Sequence, residues 1–276
     1  MLSNLNGFNP VNDIVPPSEM VVIDRWIMRQ CQLLQSEVIA HYHEYNFLNI
    51  YQKIHNFCVI ELGGFYLDVI KDRQYTTKTN GVARRSTQTA MYEILMILTR
   101  LIAPILSFTA DEIWAHIPGD KEESVFLSNF SDTQSTLEES TDFPDAFWQK
   151  VLAVKTAVNK ELETKRAEKV IGSGLSAEVD LYCDADLAAS LNSLGDELRF
   201  VLIVSRATVH ALENVSSDAV TTDVNGLSLT LLSSSFEKCE RCWHHREDIG
   251  GSADHPTICN RCVENIEGEG EQRQFA

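Results

Sequence analysis

Cys239-Glu240-Arg241-Cys242-Trp243 and Cys259-Asn260-Arg261-Cys262-Val263 are two Cys-x-x-Cys pairs separated by sixteen residues. A two-residue gap lets both thiolates of a tight turn reach one ion, and four thiolates complete the tetrahedron that Zn²⁺ accepts. The interval falls within the roughly 15–20 residues of a zinc ribbon. Gly250, Gly251 and Pro256 suit a loop that folds back to close the site. Two disulfides are the alternative. Against them, the chain has seven cysteines, an odd number, and no secretory signal peptide; reduced thiols in a cytosolic protein bind metal more often than they cross-link. Cys239, Cys242, Cys259 and Cys262 are therefore the expected ligands of one structural Zn²⁺, with a rubredoxin-like iron site left open. With four thiolates at hand, His244, His245 and His255 are expected as bystanders or polar groups on the loop.

Arg241 lies inside the first Cys pair and Trp243 just after it. A metal-held turn fixes their backbone, so a guanidinium and an indole are presented at little ordering cost. Unpaired RNA bases are read by stacking on aromatics and hydrogen bonding to Arg. Packing of Trp243 against the rest of the protein is the competing reading, and residue type does not decide between them.

Upstream, the apolar pattern is helical. Ile23, Trp26, Ile27, Cys31, Leu34, Val38, Tyr42 and Tyr45 repeat at three- and four-residue spacing, and Ser18 is the expected N-cap. Asn46 opens a second pattern from Phe47 to Val69, with Gly63-Gly64 as a weak point or a place of close approach. A third pattern runs from Arg84 to Ile102, ended or kinked by Pro104. Thr109 and Glu112 predict a capping box for a short helix carrying Ile113 and Trp114. Four amphipathic helices on short connections make a bundle.

Residues 118–142 are acidic and rich in Ser and Thr. A mixed-charge helix follows from Pro144 to Lys169, its apolar side Phe147, Val151, Val154, Val158 and Leu162. After the break at 171–174 the texture changes. Val179, Leu181 and Cys183 alternate as a strand, 187–194 is helical, and the runs 200–204, 207–212 and 227–232 predict further strand. The expected fold is mainly α: an antiparallel helical bundle, then a small α/β unit and a four-cysteine, zinc-ribbon-like module. The predicted segments are an irregular lead-in (1–19), the bundle (20–130), an acidic linker (131–143), the α/β unit (144–236) and the zinc module (237–276).

The net charge of −17 argues against binding nucleic acid through whole-molecule attraction. Its distribution is uneven. Between 71 and 100 the six bases Lys71, Arg73, Lys78, Arg84, Arg85 and Arg100 face two acids, a net of +4. Between 107 and 148 ten acids face Lys121 alone, a net of −9. A basic face set against an acidic body can still orient a polyanion, but charge alone favours ordinary solvated faces. No apolar run approaches the ~18 residues of a membrane span, so a soluble, cytoplasmic protein without membrane contact is expected.

No catalytic residue is expected in this chain: it has no P-loop and no G-x-S-x-G motif. His41 and His43, two apart on one helix, face different ways. Asp111-Glu112 is expected to act as helix-terminal charge. Gly172 and Gly174 are expected at a helix end.

F-Y-L-D-V-I-K-D-R-Q-Y at 65–75, A-R-R-S-T-Q-T-A at 83–90 and A-P-I-L-S-F-T-A-D-E-I-W at 103–114 resemble the anticodon-binding helical domain of class I aminoacyl-tRNA synthetases. The subgroup is the one specific for isoleucine, valine and leucine. G-D-E-L-R-F-V-L at 195–202, both Cys pairs and the tail at 268–276 are similar to the bacterial isoleucyl-tRNA synthetase family. The resemblance covers nearly the whole chain. HIGH and KMSKS motifs are absent from it, as is the inserted editing domain; editing by this synthetase is a standard worked case of specificity.

The resemblance implies the C-terminal portion of such an enzyme, inactive alone. The ATP- and Mg²⁺-dependent joining of isoleucine to tRNA would belong to the catalytic domain of the parent. It implies isoleucine tRNA as partner, gripped at the anticodon arm, and a monomer. Arg241 and Trp243 fall on positions that contact the anticodon loop in relatives. Lys71, Arg84 and Arg85 are phosphate candidates on charge placement alone. A zinc-held protein-interaction or scaffold module and an electron-transfer protein with a four-cysteine iron site are the alternative readings.

Overall fold

A computed structural model describes residues 1–130 and 137–276, in two compact units. One comprises Met1–Tyr75 and Thr79–Ser140, the other Thr76–Lys78 and Thr141–Ala276. Of the predicted linker at 131–143, positions 131–136 lie outside the described residues.

The first unit is helical. α1 (Val22–His43) packs on α2 (Phe47–Asn56) and on α5 (Val82–Ile102). The buried face of α1 includes Ile23, Ile27, Cys31, Leu34 and Val38, the stripe legible in the sequence. Its predicted cap is corrected. The helix begins at Val22, not after Ser18, and Val21 is its N-cap. No side chain of the same segment caps it; the Ser86 hydroxyl of α5 accepts the Val21 N–H instead, at 2.9 Å. α2 begins where the second pattern was read, and Asn46 is its N-cap, its side chain accepting from the Asn49 N–H.

Beyond α2 the chain does not continue as α-helix. Phe57–Tyr66 is a π-helical segment containing Gly63 and Gly64. π turns are rare and usually single; this one runs ten residues. It leads into α3 (Leu67–Val69) and α4 (Lys71–Thr76). α5 ends at Ile102 just before Pro104, and α6 (Ser107–His116) follows. The capping box at Thr109 is a second correction: α6 starts two residues earlier, with Leu106 as N-cap. Thr109 is thus inside the helix, while the Ser107 hydroxyl turns back to the Ala103 carbonyl.

The lead-in is irregular yet packed. Leu5, Phe8 and Val15 are buried, and the Asn4 carbonyl accepts the side-chain amides of Gln74 and Gln88. At 137–140 the chain still belongs to this unit: Leu137 N–H donates to Gln32, and Glu139 pairs with Arg29.

At its centre lies a buried ion pair. Asp24 of α1 and Arg73 of α4 are both inaccessible to solvent. The carboxylate accepts two guanidinium bonds (2.7 and 2.8 Å), the Tyr66 hydroxyl (2.8 Å) and the Ser86 hydroxyl (2.5 Å). Arg73 therefore drops out of the six bases counted between 71 and 100 as a surface charge. Burial first, then the Asp24 charge, push the Tyr66 hydroxyl well above its ordinary value, so it stays a donor.

The second unit is α/β. α7 (Asp145–Ala167) buries Phe147, Trp148, Val151, Val154, Val158 and Leu162. Four strands follow: β1 (Ala177–Cys183), β2 (Arg206–Ala211), β3 (Val220–Thr221) and β4 (Leu227–Ser233). Their order is β2-β1-β4-β3, with β1 and β2 parallel and the other pairs antiparallel. Val179 faces Leu231 and Leu181 faces Leu229, all four buried. The alternate positions carry polar pairs, Glu178 with Arg206 and Asp180 with His210. The alternation is clear at the start of β1, whereas on β4 Ser228 and Thr230 are buried along with the leucines between and beside them. Gly174 sits where a Cβ would come within 2.7 Å of the Ile203 carbonyl, which accounts for a glycine there.

α8 (Ala185–Asn192) lies where the sequence placed a helix. The run 200–204 is the third correction. It is not strand but the end of a short helix, α9 (Leu198–Leu202), closed by Ile203 at φ 59°. A short, wholly apolar run carries no period that separates helix from strand. Tertiary contacts decide here: Lys155 of α7 donates to the Val201 carbonyl at 2.8 Å, and Phe200 is covered by the guanidinium groups of Arg199, Arg261 and Arg273.

Candidate metal centre and nucleic-acid interface

The four predicted cysteines converge. Cys239, Cys242, Cys259 and Cys262 are buried, and their sulfurs all lie within 4.8 Å of one another. Cys239 and Cys262 sulfurs are 3.8 Å apart, those of Cys242 and Cys259 3.7 Å. A tetrahedron with Zn–S bonds of about 2.3 Å has an edge of about 3.8 Å. The spacing is thus that of four thiolates around one ion, and too long for disulfides at ~2.05 Å.

Each pair is shaped by its own backbone. The Cys239 carbonyl accepts the Trp243 N–H at 2.9 Å, closing the first knuckle. Flanking it, Lys238 and His245 form an antiparallel bridge. The second pair opens α10 (Asn260–Glu267), with Cys259 as N-cap and Cys262 in the first turn. A helix N-terminus favours negative charge, and so favours thiolates there. Hydrogen bonds from Cys239, Cys259 and Cys262 push the Cys242 thiol down; the same sharing pushes Cys259 and Cys262 up. A divalent cation relieves this competition by accepting all four as thiolates. Cys239, Cys242, Cys259 and Cys262 would hold the zinc, whose contribution is to lock the two knuckles together.

The histidines stay outside the sulfur cluster. His244 is buried, its Nδ1 3.3 Å from the Cys242 carbonyl and its ring edge against Phe200. His245 approaches the Phe236 carbonyl, and His255 pairs with Glu267.

Trp243 is exposed to 59% and has a φ of 67°. A bulky residue in the left-handed region is rare and carries strain. The knuckle therefore holds its indole outward rather than packing it. Arg241 is half-buried, its guanidinium donating to the Thr76 carbonyl. It reaches the first knuckle's surface already anchored.

The basic candidates fare differently. Lys71 is exposed and pairs with Asp68 one turn away. Arg84 is half-buried with Nε unsatisfied; burial first, then the Arg85 charge, push its guanidinium below the ordinary value. An anion would relieve both effects. Arg85 is engaged by Gly7, Gln88, Asn80 and Asp13.

The C-terminal segment, which the sequence marks only by its resemblance, is tied down by contacts that no motif announces. Glu197 accepts the N–H groups of Gln274, Phe275 and Ala276 at 2.7–2.8 Å. Arg273 lies over Phe200 at 3.3 Å and donates to the Ala276 carbonyl. Sequence alone gives no partner for Glu197, because its three donors are backbone groups nearly eighty residues away.

Residues 24–181, more than half of the chain, match the family described as the anticodon-binding domain of tRNA ligase, and the chain belongs to that family. Residues 236–265 match a zinc finger found in FPG and IleRS. Among curated proteins, the isoleucine–tRNA ligases of Pseudomonas putida strain W619 and Pseudomonas aeruginosa strain PAO1 are 55% and 54% identical over all 276 residues. The chain spans 29% of the length of these relatives and corresponds to their C-terminal portion. No helix among the described residues is long and apolar enough to cross a membrane.

Proposed function

We propose that this chain is the tRNA-gripping C-terminal part of a cytoplasmic isoleucine–tRNA ligase. Its partner is the anticodon arm of isoleucine tRNA. ATP, Mg²⁺ and the joining of isoleucine to tRNA belong to the catalytic part of the parent, and the chain alone is inactive and monomeric. The observation that carries the reading is the exposed indole of Trp243, held outward at φ 67° by a knuckle of four clustered cysteines. An aromatic so presented suits an unpaired base, which stacks on it without reorganising the protein. Arg241 is the adjoining hydrogen-bond donor. Lys71 and Arg84 are proposed as phosphate contacts; Arg85 contributes charge beside Arg84 while securing the lead-in.

The test is equilibrium binding of isoleucine tRNA and valine tRNA to the zinc-loaded chain at one stated salt concentration. Tighter binding of isoleucine tRNA is expected. Equal affinity for both would refute anticodon recognition by this chain.

A further inference from the structure

Lys238 was not among the expected RNA contacts. It precedes the first zinc cysteine, its side chain is exposed, and its ammonium lies over the Trp243 ring, 5.1 Å from the centroid. Among the described residues no hydrogen bond or ion pair engages that ammonium. This sets it apart from Lys71, which pairs with Asp68, and from Arg85, which pairs with Asp13. The bridge between Lys238 and His245 fixes its backbone against the same knuckle that orients the indole. The cation is therefore positioned, and its charge is uncommitted.

A cation over one face of an indole leaves the opposite face for stacking. Trp243 keeps 59% of its surface open despite that cover. A base stacked there carries its phosphate at the rim of the ring, within reach of a flexible four-carbon side chain. Lysine binds phosphate as a point charge and needs no fixed fork geometry.

We propose that Lys238 is a positioning residue of the RNA site: it steadies the Trp243 indole from one face and neutralises the phosphate of the nucleotide stacked on the other. The proposal rests on the reading of Trp243 as a base platform. It assigns two kinds of contact to one knuckle, a stacking one from Trp243 that depends on the base and an ionic one from Lys238 that does not.

The experiment uses the full zinc-loaded chain and the fluorescently labelled anticodon stem-loop of isoleucine tRNA, titrated from ~50 to ~200 mM salt, with Lys238→Met, Lys238→Arg and Trp243→Ala compared. Losing one phosphate contact on a single strand should make the slope of log K against log salt shallower by about 0.7. Across that fourfold range, the gap between Lys238→Met and the parent chain should narrow about 2.6-fold. Lys238→Arg should restore the parent slope. Trp114 and Trp148 are buried and Trp26 half-buried, so acrylamide quenching reports chiefly on Trp243. RNA should shield that fluorescence in the parent chain and in Lys238→Met alike.

An unchanged slope in Lys238→Met, with Trp243→Ala still impaired, would overturn this proposal alone. If Trp243→Ala binds as the parent chain does and RNA leaves the quenching unchanged, the reading of the knuckle as a base platform falls, and this proposal with it.

Discussion

Replacing Arg73 by Met tests the account of the bundle core. Asp24 is buried completely, and Arg73 supplies two of its four hydrogen bonds. After the substitution only the hydroxyls of Tyr66 and Ser86 would face an ionised carboxylate with no access to water. Breaking one side of a buried pair costs about 3–5 kcal/mol, mostly as the penalty of the stranded charge. That is a large part of the ~5–15 kcal/mol by which a domain is stable. Urea denaturation followed by far-UV circular dichroism would read it as a lower midpoint at unchanged slope. The double variant Asp24→Leu/Arg73→Met removes the stranded charge and should recover much of the loss, giving a strongly non-additive cycle. A cost below about 1 kcal/mol for Arg73→Met, or additive effects, would refute the reasoning, because the pair would then behave as a surface salt bridge.

Cys239→Ser or Cys262→Ser should lower bound zinc well below a stoichiometric amount and raise hydrogen exchange across 237–276, while the helical signal of the bundle persists; metal analysis and exchange mass spectrometry check this. The same metal analysis distinguishes zinc from a coloured iron site. Glu93→Gln should raise stability at neutral pH. Burial, opposed by Arg100, holds the Glu93 pKa above its ordinary value, so the folded state binds its proton more readily than the unfolded chain does. Stability from this group is present below about pH 4.3, the unfolded value, and is lost as pH rises through the folded pKa. The gain from Gln should therefore vanish in acid; a gain independent of pH between ~3 and ~7 would contradict it. Glu197→Ala should release the three backbone donors at 274–276 and speed proteolysis of the tail, with zinc content unchanged.

Much of the site was legible because its signals are local. Two residues between cysteines and sixteen between pairs specify a four-thiolate cluster without reference to anything distant. The pattern opening at Asn46 gave the start of α2, where Asn46 and the N–H it caps lie three residues apart. Ser18 failed for the complementary reason, whereas Thr109 failed because α6 starts two residues before it, at Ser107. The start of α1 is satisfied by Ser86, sixty-five residues away, and local capping propensity cannot register such a pair. Arg73 shows the same limit in electrostatics: its charge was visible, but its partner Asp24 is forty-nine residues distant. Phe200 carried no helical period, and the arginines that surround it come from α9, α10 and the C-terminal tail. Gly63-Gly64 marked a weak place in a helix without indicating that the winding changes to π there.

The most direct measurement is cognate against non-cognate binding by Trp243→Ala, made after confirming that the variant retains its zinc. A stacking platform contributes roughly 1–3 kcal/mol per base, so affinity for isoleucine tRNA should fall about 5- to 150-fold. Affinity for valine tRNA should change little, and the preference should collapse. Replacing Arg84 and Lys71 should instead weaken both tRNAs alike and flatten their salt dependence. If the zinc-loaded Trp243→Ala variant still prefers isoleucine tRNA as strongly as the parent chain does, the knuckle does not read the anticodon.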